Sequence, residues 1–312
     1  MLPLRVYLFA DGVHVVRSDS ANSDLLGARI ETIGVYPVDA AIARLRPWVH
    51  ADNESAFRDI VASRLMLGEL LKLAGIAATS DSINIRARAQ DGALIERVLR
   101  ASDPAAPLSS RRAVAQNAPT PLSLRNTDQP FSFADVDSLH VFWIQFNAVQ
   151  DGASESLAEL ARRALAEAER SDATRLVIDV RRNNGGDNTL LRPLLVGLIR
   201  SRFNAPGHLY IITGRLTFSA AVNFVTRAEA YTDARFVGEP TGAPPNHFGE
   251  TARLILPHSG LTVLYSTLWW QDADPRDTRP WIAPTIIVPP TFADYRVGRD
   301  TALDAILRDP PE

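Results

Sequence analysis

Short apolar runs alternate with segments of helical periodicity in the second half of the chain. Four such runs occur, at residues 139–146, 175–180, 208–213 and 235–238. Near-continuous apolar runs are typical of strands that are buried on both faces of a parallel sheet. Apolar residues spaced three or four positions apart predict three helices, over residues 157–168, 189–202 and 219–230. Strands and helices that alternate in this order predict a parallel α/β layer. A hairpin is predicted after this layer, from strands at 253–256 and 261–265.

The first hundred residues have a different, mixed pattern. They predict a hairpin around residues 10–12, a strand over 27–34, and helices over 38–45 and 56–74. From residue 101 the composition changes to prolines among small polar residues, which is typical of a linker or an extended edge segment. We therefore expect three parts: a small α+β domain over 1–100, a Pro-rich linker or edge segment over 101–134, and a core domain over 135–312.

Composition and charge exclude several classes of protein. The 312 residues are 46% hydrophobic and 22% charged, as in ordinary globular proteins. The 33 basic and 36 acidic residues give a net charge of -3, so the chain has no basic footprint for nucleic acid. The absence of cysteine excludes disulfides, thiolate metal sites and a cysteine nucleophile. No apolar run approaches the roughly 18 residues of a membrane span, and polar residues interrupt any export signal in the first sixteen.

Two loops that follow adjacent predicted strands contain the candidate chemistry. The loop at 181–188 contains Gly185 and Gly186, which can bend sharply and present N–H groups to an oxyanion or a phosphate. Alternatively, it is only a tight strand-to-helix turn. The second loop puts Ser219 at the start of a helix, where the N–H of Ala220 and the helix dipole favour developing negative charge. Alternatively, Ser219 or Thr217 is simply the N-cap. Together, the two loops have the components that acyl transfer requires.

These motifs resemble those of the tail-specific, or C-terminal processing, serine peptidases. The resemblance covers about residues 135–308. Its segments are LVIDVRRNNGG at 176–186, TFSAA at 217–221, FVGEPTG at 236–242 and WIAP at 281–284. The resemblance implies an α/β fold with a crotonase-like ββα core of the ClpP/crotonase type, preceded by a small PDZ-like α+β domain. Residues 24–38 are similar to the Gly-Asp-x-Ile region of such a PDZ-like domain.

The resemblance also implies roles for individual residues. Ser219 becomes the nucleophile, and Gly185 or Gly186 supplies the oxyanion amides together with Ala220. Three further residues are candidate substrate contacts: Asn246, Trp269 and Trp270. Packing of a two-faced strand explains the two tryptophans equally well.

The general base is the point at which this sequence departs from the family pattern. The lysine-dyad branch has Gly-Lys-Gly just past its Gly-Glu-x-Thr segment, whereas residues 242–247 read GAPPNH here. The only lysine is Lys72, on a predicted helix of the small domain. The tricorn-like branch takes a histidine from a motif before the PDZ-like region, and this chain contains no such motif. We therefore expect a tricorn-core-like member of the family that is N-terminally short.

His247 is the candidate base within the chain, because it lies just beyond the segment that carries the lysine elsewhere. A neutral imidazole there could accept the nucleophile's proton. The alternative is a loop histidine that contacts substrate or solvent. An orienting carboxylate would complete a triad, and Asp277 is the candidate for it, with Asp274, Glu239 and Glu250 as other nearby acids.

The sequence therefore predicts a serine-type peptidase that hydrolyses peptide bonds of polypeptides. The alternative is a catalytically impaired member that binds a peptide or a hydrophobic ligand. A third interpretation is an acyl-CoA enzyme of the crotonase type. No metal or organic cofactor is implied, and neither nucleic acid nor a membrane-spanning segment is expected. A homo-oligomer is left open. The family resemblance indicates a bacterial protein that acts outside the cytoplasm, in the periplasm or beyond.

Overall fold

The computed structural model describes residues 1–103, 108 and 112–310 and divides into two compact units. Unit 1 comprises Met1–Arg125 with Pro289–Thr301, and unit 2 comprises Asn126–Val288 with Ala302–Glu312. Part of the predicted Pro-rich segment, at 104–107 and 109–111, lies outside the described residues. The domain boundaries expected at 100 and 134 stay a prediction.

Unit 1 is built on an antiparallel sheet in the order β1-β2-β3-β5-β6, with β4 beside β3. Its strands are β1 (Leu4–Phe9), β2 (Gly12–Ser18), β3 (Arg29–Ile33), β4 (Tyr36–Pro37), β5 (Ser82–Arg88) and β6 (Leu94–Arg100). Its first three helices are α1 (Val38–Leu45), α2 (Glu54–Arg64) and α3 (Gly68–Leu73). The core between helices and sheet includes Val15, Ile33, Leu45 and Val61, which are fully buried.

The single helix predicted over 56–74 is wrong, because the chain forms α2 and α3 with a break between them. Leu67 is extended, with φ -96° and ψ 101°. Gly68 then lies so close to the carbonyl of Ser80 that a Cβ would be 2.0 Å from its oxygen. Close packing of Gly68 against Ser80 therefore separates the two helices. The spacing of apolar residues does not indicate this contact.

Unit 2 is built on a six-stranded sheet in the order β14-β11-β10-β9-β8-β7. All neighbours pair in parallel except β7 and β8. The strands are β7 (Phe131–Val136), β8 (Val141–Phe146), β9 (Arg175–Asp179), β10 (Leu209–Thr213), β11 (Arg235–Gly238) and β14 (Ile286–Ile287). The helices are α4 (Leu157–Arg170), α5 (Arg192–Arg200), α6 (Ala220–Tyr231) and α8 (Thr301–Arg308); the short α7 (Phe292–Arg296) belongs to unit 1. The expected α/β class is confirmed.

Local sequence explains how α4 begins and which side of it is buried. Ser156 and Glu159 form a capping box, with the backbone N–H of each bonded to the side chain of the other. The apolar face of α4 is buried against the sheet, together with Ile144, Ile178 and Ile211; its buried residues are Leu157, Ala161, Ala164, Leu165 and Ala168. None of the helices among the described residues is long and apolar enough to cross a membrane.

The predicted hairpin is present and is much longer than expected. It consists of β12 (Asn246–Ile255) and β13 (Thr262–Gln271), paired antiparallel as a two-stranded sheet. Gly249 and Glu250 in the first half of β12 are typical of a loop in sequence, whereas the structure pairs this segment with the uncharged β13. The difference matters because it puts His247 at the beginning of a strand, opposite Trp270.

Candidate active site

Ser219 lies in a sharp turn between β10 and α6. Its backbone has φ 51° and ψ -127°, a positive φ that is uncommon for a residue other than glycine. Ser219 occupies the N-cap position, but its side chain makes no capping hydrogen bond. The residue is half-buried, and the N-cap alternative does not explain it.

Thr217 has the structural role in this turn. Its Oγ1 accepts a hydrogen bond from the Gly214 N–H at 3.0 Å and donates one to the Val180 carbonyl oxygen at 2.9 Å. Val180 directly follows β9, so Thr217 joins the Ser219 turn to the end of the neighbouring strand. This bond holds the Ser219 turn beside the glycine loop.

The glycine loop contacts the Ser219 turn, as the sequence predicts. Gly185 has φ +110°, and a Cβ on it would lie 2.7 Å from Ser219 Cβ and 3.1 Å from the Ala220 nitrogen. Gly186 has φ +138°, and a Cβ there would lie 2.1 Å from the carbonyl oxygen of Val149. Only glycine fits at either position, because both the backbone conformation and the space exclude a side chain.

Asn183 is a site residue that the sequence reasoning missed. Its Nδ2 donates to the Phe146 carbonyl at 3.0 Å, and its Oδ1 accepts from the Gly185 N–H at 2.9 Å. Its own carbonyl accepts from the Phe218 N–H at 3.1 Å. Asn183 therefore joins β8, the glycine loop and the Ser219 turn. An asparagine that bonds the N–H two residues later is a common turn signal, and this signal was available in the sequence.

His247 is buried, with only 2% of its surface exposed. Its Nδ1 lies 3.2 Å from the carbonyl oxygen of Pro244. Since a carbonyl can only accept, this contact assigns a proton to Nδ1, so that Nε2 is the basic nitrogen whenever the ring is neutral. The ring lies 6.5 Å, centroid to centroid, from that of Phe218, which directly precedes Ser219. The histidine is thus a strand residue beside the Ser219 turn.

Asn246 uses both ends of its amide within the chain. Its Oδ1 accepts from the Ala273 N–H at 2.9 Å, and its Nδ2 donates to the Asp274 carbonyl at 2.9 Å. The residue is 4% exposed. These bonds fasten the start of β12, and thereby His247, to the segment that follows β13.

Asp277 forms an ion pair with Arg279 at 2.7 Å, and Arg279 also pairs with Glu229 at 2.7 Å. The hydrogen bonds from Arg279 hold the pKa of Asp277 below its usual value. Glu229 lies ten residues after Ser219 on α6, about 15 Å along the helix axis. The structure thus attaches Asp277 to the far end of that helix.

The two tryptophans of β13 have different surroundings. Trp269 is 47% exposed and packs edge-to-face on Phe248, with ring centroids 4.7 Å apart. Trp270 is half-buried and packs on Gly249. A Cβ added to Gly249 would lie 2.7 Å from the Trp270 indole. Lys72 lies on α3 of unit 1.

Comparisons with known proteins identify the fold. No protein-family profile matches the chain, and no protein of curated function matches it in sequence. Among solved structures, mature CPAF complexed with lactacystin matches with a TM-score of 0.66, over 98% of this chain and 82% of that one, at 12% identity. This chain has the CPAF fold. The resemblance expected from the motifs is confirmed at the level of the fold.

Two other matches have lower similarity. The photosystem II D1 C-terminal processing protease matches over 96% of this chain and 77% of its own, at 12% identity and a TM-score of 0.40. The tricorn protease matches over 98% of this chain and 29% of its own, at 15% identity and a TM-score of 0.40.

Proposed function

We propose that this protein is a serine hydrolase of peptide bonds, with Ser219 as the nucleophile. The observation that carries the proposal is the strained backbone of Ser219 at the start of α6, in contact with Gly185. Strained non-glycine residues cluster at active sites, because only a rigid surrounding structure keeps them in place. A serine in a sharp strand-to-helix turn is also how other hydrolases expose a nucleophilic hydroxyl.

The proposed oxyanion hole consists of the N–H groups of Ala220 and Gly186. Ala220 is the first residue of α6, so its N–H lies at the positive end of the helix dipole. Of the two candidate glycines we favour Gly186, since the N–H of Gly185 already donates to Asn183. Loss of one such donor typically costs about 3 kcal/mol of transition-state stabilisation.

In the proposed reaction, Ser219 Oγ attacks the peptide carbonyl carbon while its proton passes to Nε2 of His247. The amides stabilise the negative charge on the carbonyl oxygen. When the tetrahedral intermediate collapses, the C–N bond breaks and His247 transfers the proton to the leaving amine. Water then attacks the acyl-enzyme with His247 again as base, which releases the second product and restores Ser219.

The finer features of the resemblance are part of this proposal. They are a polypeptide substrate, a crotonase-like core in unit 2, a PDZ-like domain in unit 1, and action in an extracytoplasmic compartment of a bacterium. The CPAF fold and the motifs that surround Gly186 and Ser219 support the first three, whereas the compartment rests on the family resemblance alone. A homo-oligomer stays a prediction.

A second candidate function is a binding module that keeps the peptidase fold. The ion pair of Asp277 with Arg279, which also binds Glu229, favours it, because a carboxylate held in this way is not the partner of a histidine base. In that case Ser219 would lack activation, and the site would bind a peptide or a hydrophobic ligand without cleaving it.

The experiment that separates the two is intact-mass labelling with a fluorophosphonate probe, with lactacystin as a second probe. We expect one adduct on the wild-type chain, none on Ser219→Ala, and one on the control Ser266→Ala, which alters an exposed serine of β13. Wild type and Ser266→Ala should also cleave a fluorescent unfolded polypeptide, and Ser219→Ala should not. Absence of any adduct on the folded wild-type chain would reject the hydrolase and leave the binding module.

A further inference from the structure

A chain of hydrogen-bonded polar side chains, two of them buried and two half-buried, runs through unit 2 along α6. Asn188 Nδ2 donates to Asn223 Oδ1 at 3.2 Å. Asn223 Nδ2 in turn donates to Asp272 Oδ2, and Arg227 binds the other oxygen of Asp272 at 2.8 Å. Asn223 is 1% exposed and Asn188 is 8% exposed. None of these four residues has a role in the proposed reaction.

The members of this chain belong to the three segments that carry the proposed catalytic groups. Asn188 lies two residues after Gly186, in the glycine loop. Asn223 lies one turn after Ser219 on α6, and its N–H donates to the Ser219 carbonyl at 3.1 Å. Asp272 directly follows β13, and the next two residues hold Asn246, the neighbour of His247. Asn223 is therefore the point at which the three segments meet.

Chemistry allows only one arrangement of this network. The Asp272 carboxylate accepts only, so Asn223 must present its Nδ2 to it and its Oδ1 to the donor Nδ2 of Asn188. If the Asn223 amide were turned by 180°, its oxygen would face the Asp272 carboxylate, which is also an acceptor. Its nitrogen would face the Nδ2 of Asn188, which is also a donor. A buried network that is satisfied in only one orientation specifies the relative positions of the segments it joins.

We propose that Asn223 and Asp272 are positioning residues that hold the glycine loop and the His247 strand in register with Ser219. The inference rests on the proposed hydrolase function, because it concerns how the groups of that reaction are aligned. Misplacement of reacting groups by about 1 Å can lower a rate on the order of 10²-fold. The network would act through this alignment, without touching the substrate.

A donor–acceptor exchange between the two residues tests the proposal. Asn223→Asp puts two carboxylates together and removes the central hydrogen bond. In Asp272→Asn, the single amide oxygen can accept from Asn223 or from Arg227 but not from both, and its NH2 group then faces the other donor, so one bond of the network is lost in either orientation. In the double variant N223D/D272N, the new amide at position 272 can donate to the new carboxylate at position 223. The oxygen of that amide still accepts from Arg227, and the carboxylate still accepts from Asn188. The double exchange therefore restores every bond of the network with the charges moved.

The measurement is the fluorophosphonate labelling rate at increasing probe concentration, well below the thermal unfolding midpoint of each variant. We expect each single variant to lose about 10²-fold in the maximal labelling rate, with the half-saturating probe concentration unchanged. The double variant should return to within a few-fold of wild type. The control Asp233→Asn, which removes an exposed carboxylate of unit 2, should label like wild type.

The possible outcomes separate the positioning role from the proposed function. An unlabelled wild-type chain would reject the proposed function itself, and the positioning role with it. A labelled wild type with single variants that react at the same rate would reject only the positioning role. A double variant whose labelling rate falls by the product of the two single losses would also reject the positioning role. If a single variant does not fold, the folded double variant still decides, because rescue of both folding and labelling rate is expected only from a specific network.

Discussion

The close approach of Gly185 to Ser219 gives the most direct test of the site geometry, through the substitution Gly185→Ala. The added methyl group would lie 2.7 Å from Ser219 Cβ and 3.1 Å from the Ala220 nitrogen, so the loop or the turn has to move. Overpacking of this kind costs about 1–3 kcal/mol. A φ of +110° adds strain of about 1–3 kcal/mol for alanine. Because the two costs add, we expect the variant to lose about 4 kcal/mol of unfolding free energy.

Gly260→Ala is the matched control for this experiment. Gly260 lies at the tip of the exposed hairpin with φ +67°, and an added Cβ would meet nothing within 4 Å. Its substitution should cost only about 1 kcal/mol, from the left-handed backbone alone. Because both variants make the same chemical change, effects on the unfolded chain largely cancel in the comparison.

The assay is guanidinium unfolding followed by tryptophan fluorescence, which mainly reports unit 2 because Trp48 is the only one of the five tryptophans in unit 1. Fluorophosphonate labelling of the same samples measures the reactivity of Ser219. We expect the labelling rate to fall about 10²-fold in Gly185→Ala and to stay unchanged in Gly260→Ala. Equal unfolding free energies for the two variants, or wild-type labelling of Gly185→Ala, would refute the contact between the two loops.

Three further predictions concern other parts of the molecule. Arg215→Met should cost about 2–3 kcal/mol of unfolding free energy, because it removes the buried guanidinium that binds the half-buried Glu239 carboxylate; denaturant unfolding with a loss below about 1 kcal/mol would contradict this. Burial lowers the pKa of His14 below 6.5, so the unfolded chain binds more protons and stability should fall as the pH drops below that value; unfolding series in His14→Phe should lack this component. The exposed apolar hairpin predicts concentration-dependent self-association in analytical ultracentrifugation, reduced by Leu264→Lys; identical sedimentation of both proteins as monomers would argue against it.

Several features of this protein follow from local sequence alone. The alternation of apolar runs and helical periods predicts the β8–β11 layer, since burial on both faces leaves a continuous apolar run. The Ser156–Glu159 capping box marks the start of α4, because all of its partners lie within four residues. The positions of Gly185, Gly186 and Ser219 follow from turn chemistry and from the rule that sites form where parallel strands end.

Other features depend on contacts that leave no periodic mark in the sequence. Asn223 reaches Asn188 across 35 positions and Asp272 across 49, so nothing in the sequence around any of them indicates the network. The ion pair of Asp277 with Arg279 and the bond that occupies the Gly185 N–H likewise change the expected roles of these residues. Residue types and local spacing thus determined which elements form and where reactive groups lie. Only the tertiary structure decided which of those groups meet, because hydrogen-bond partners distant in sequence are chosen by packing.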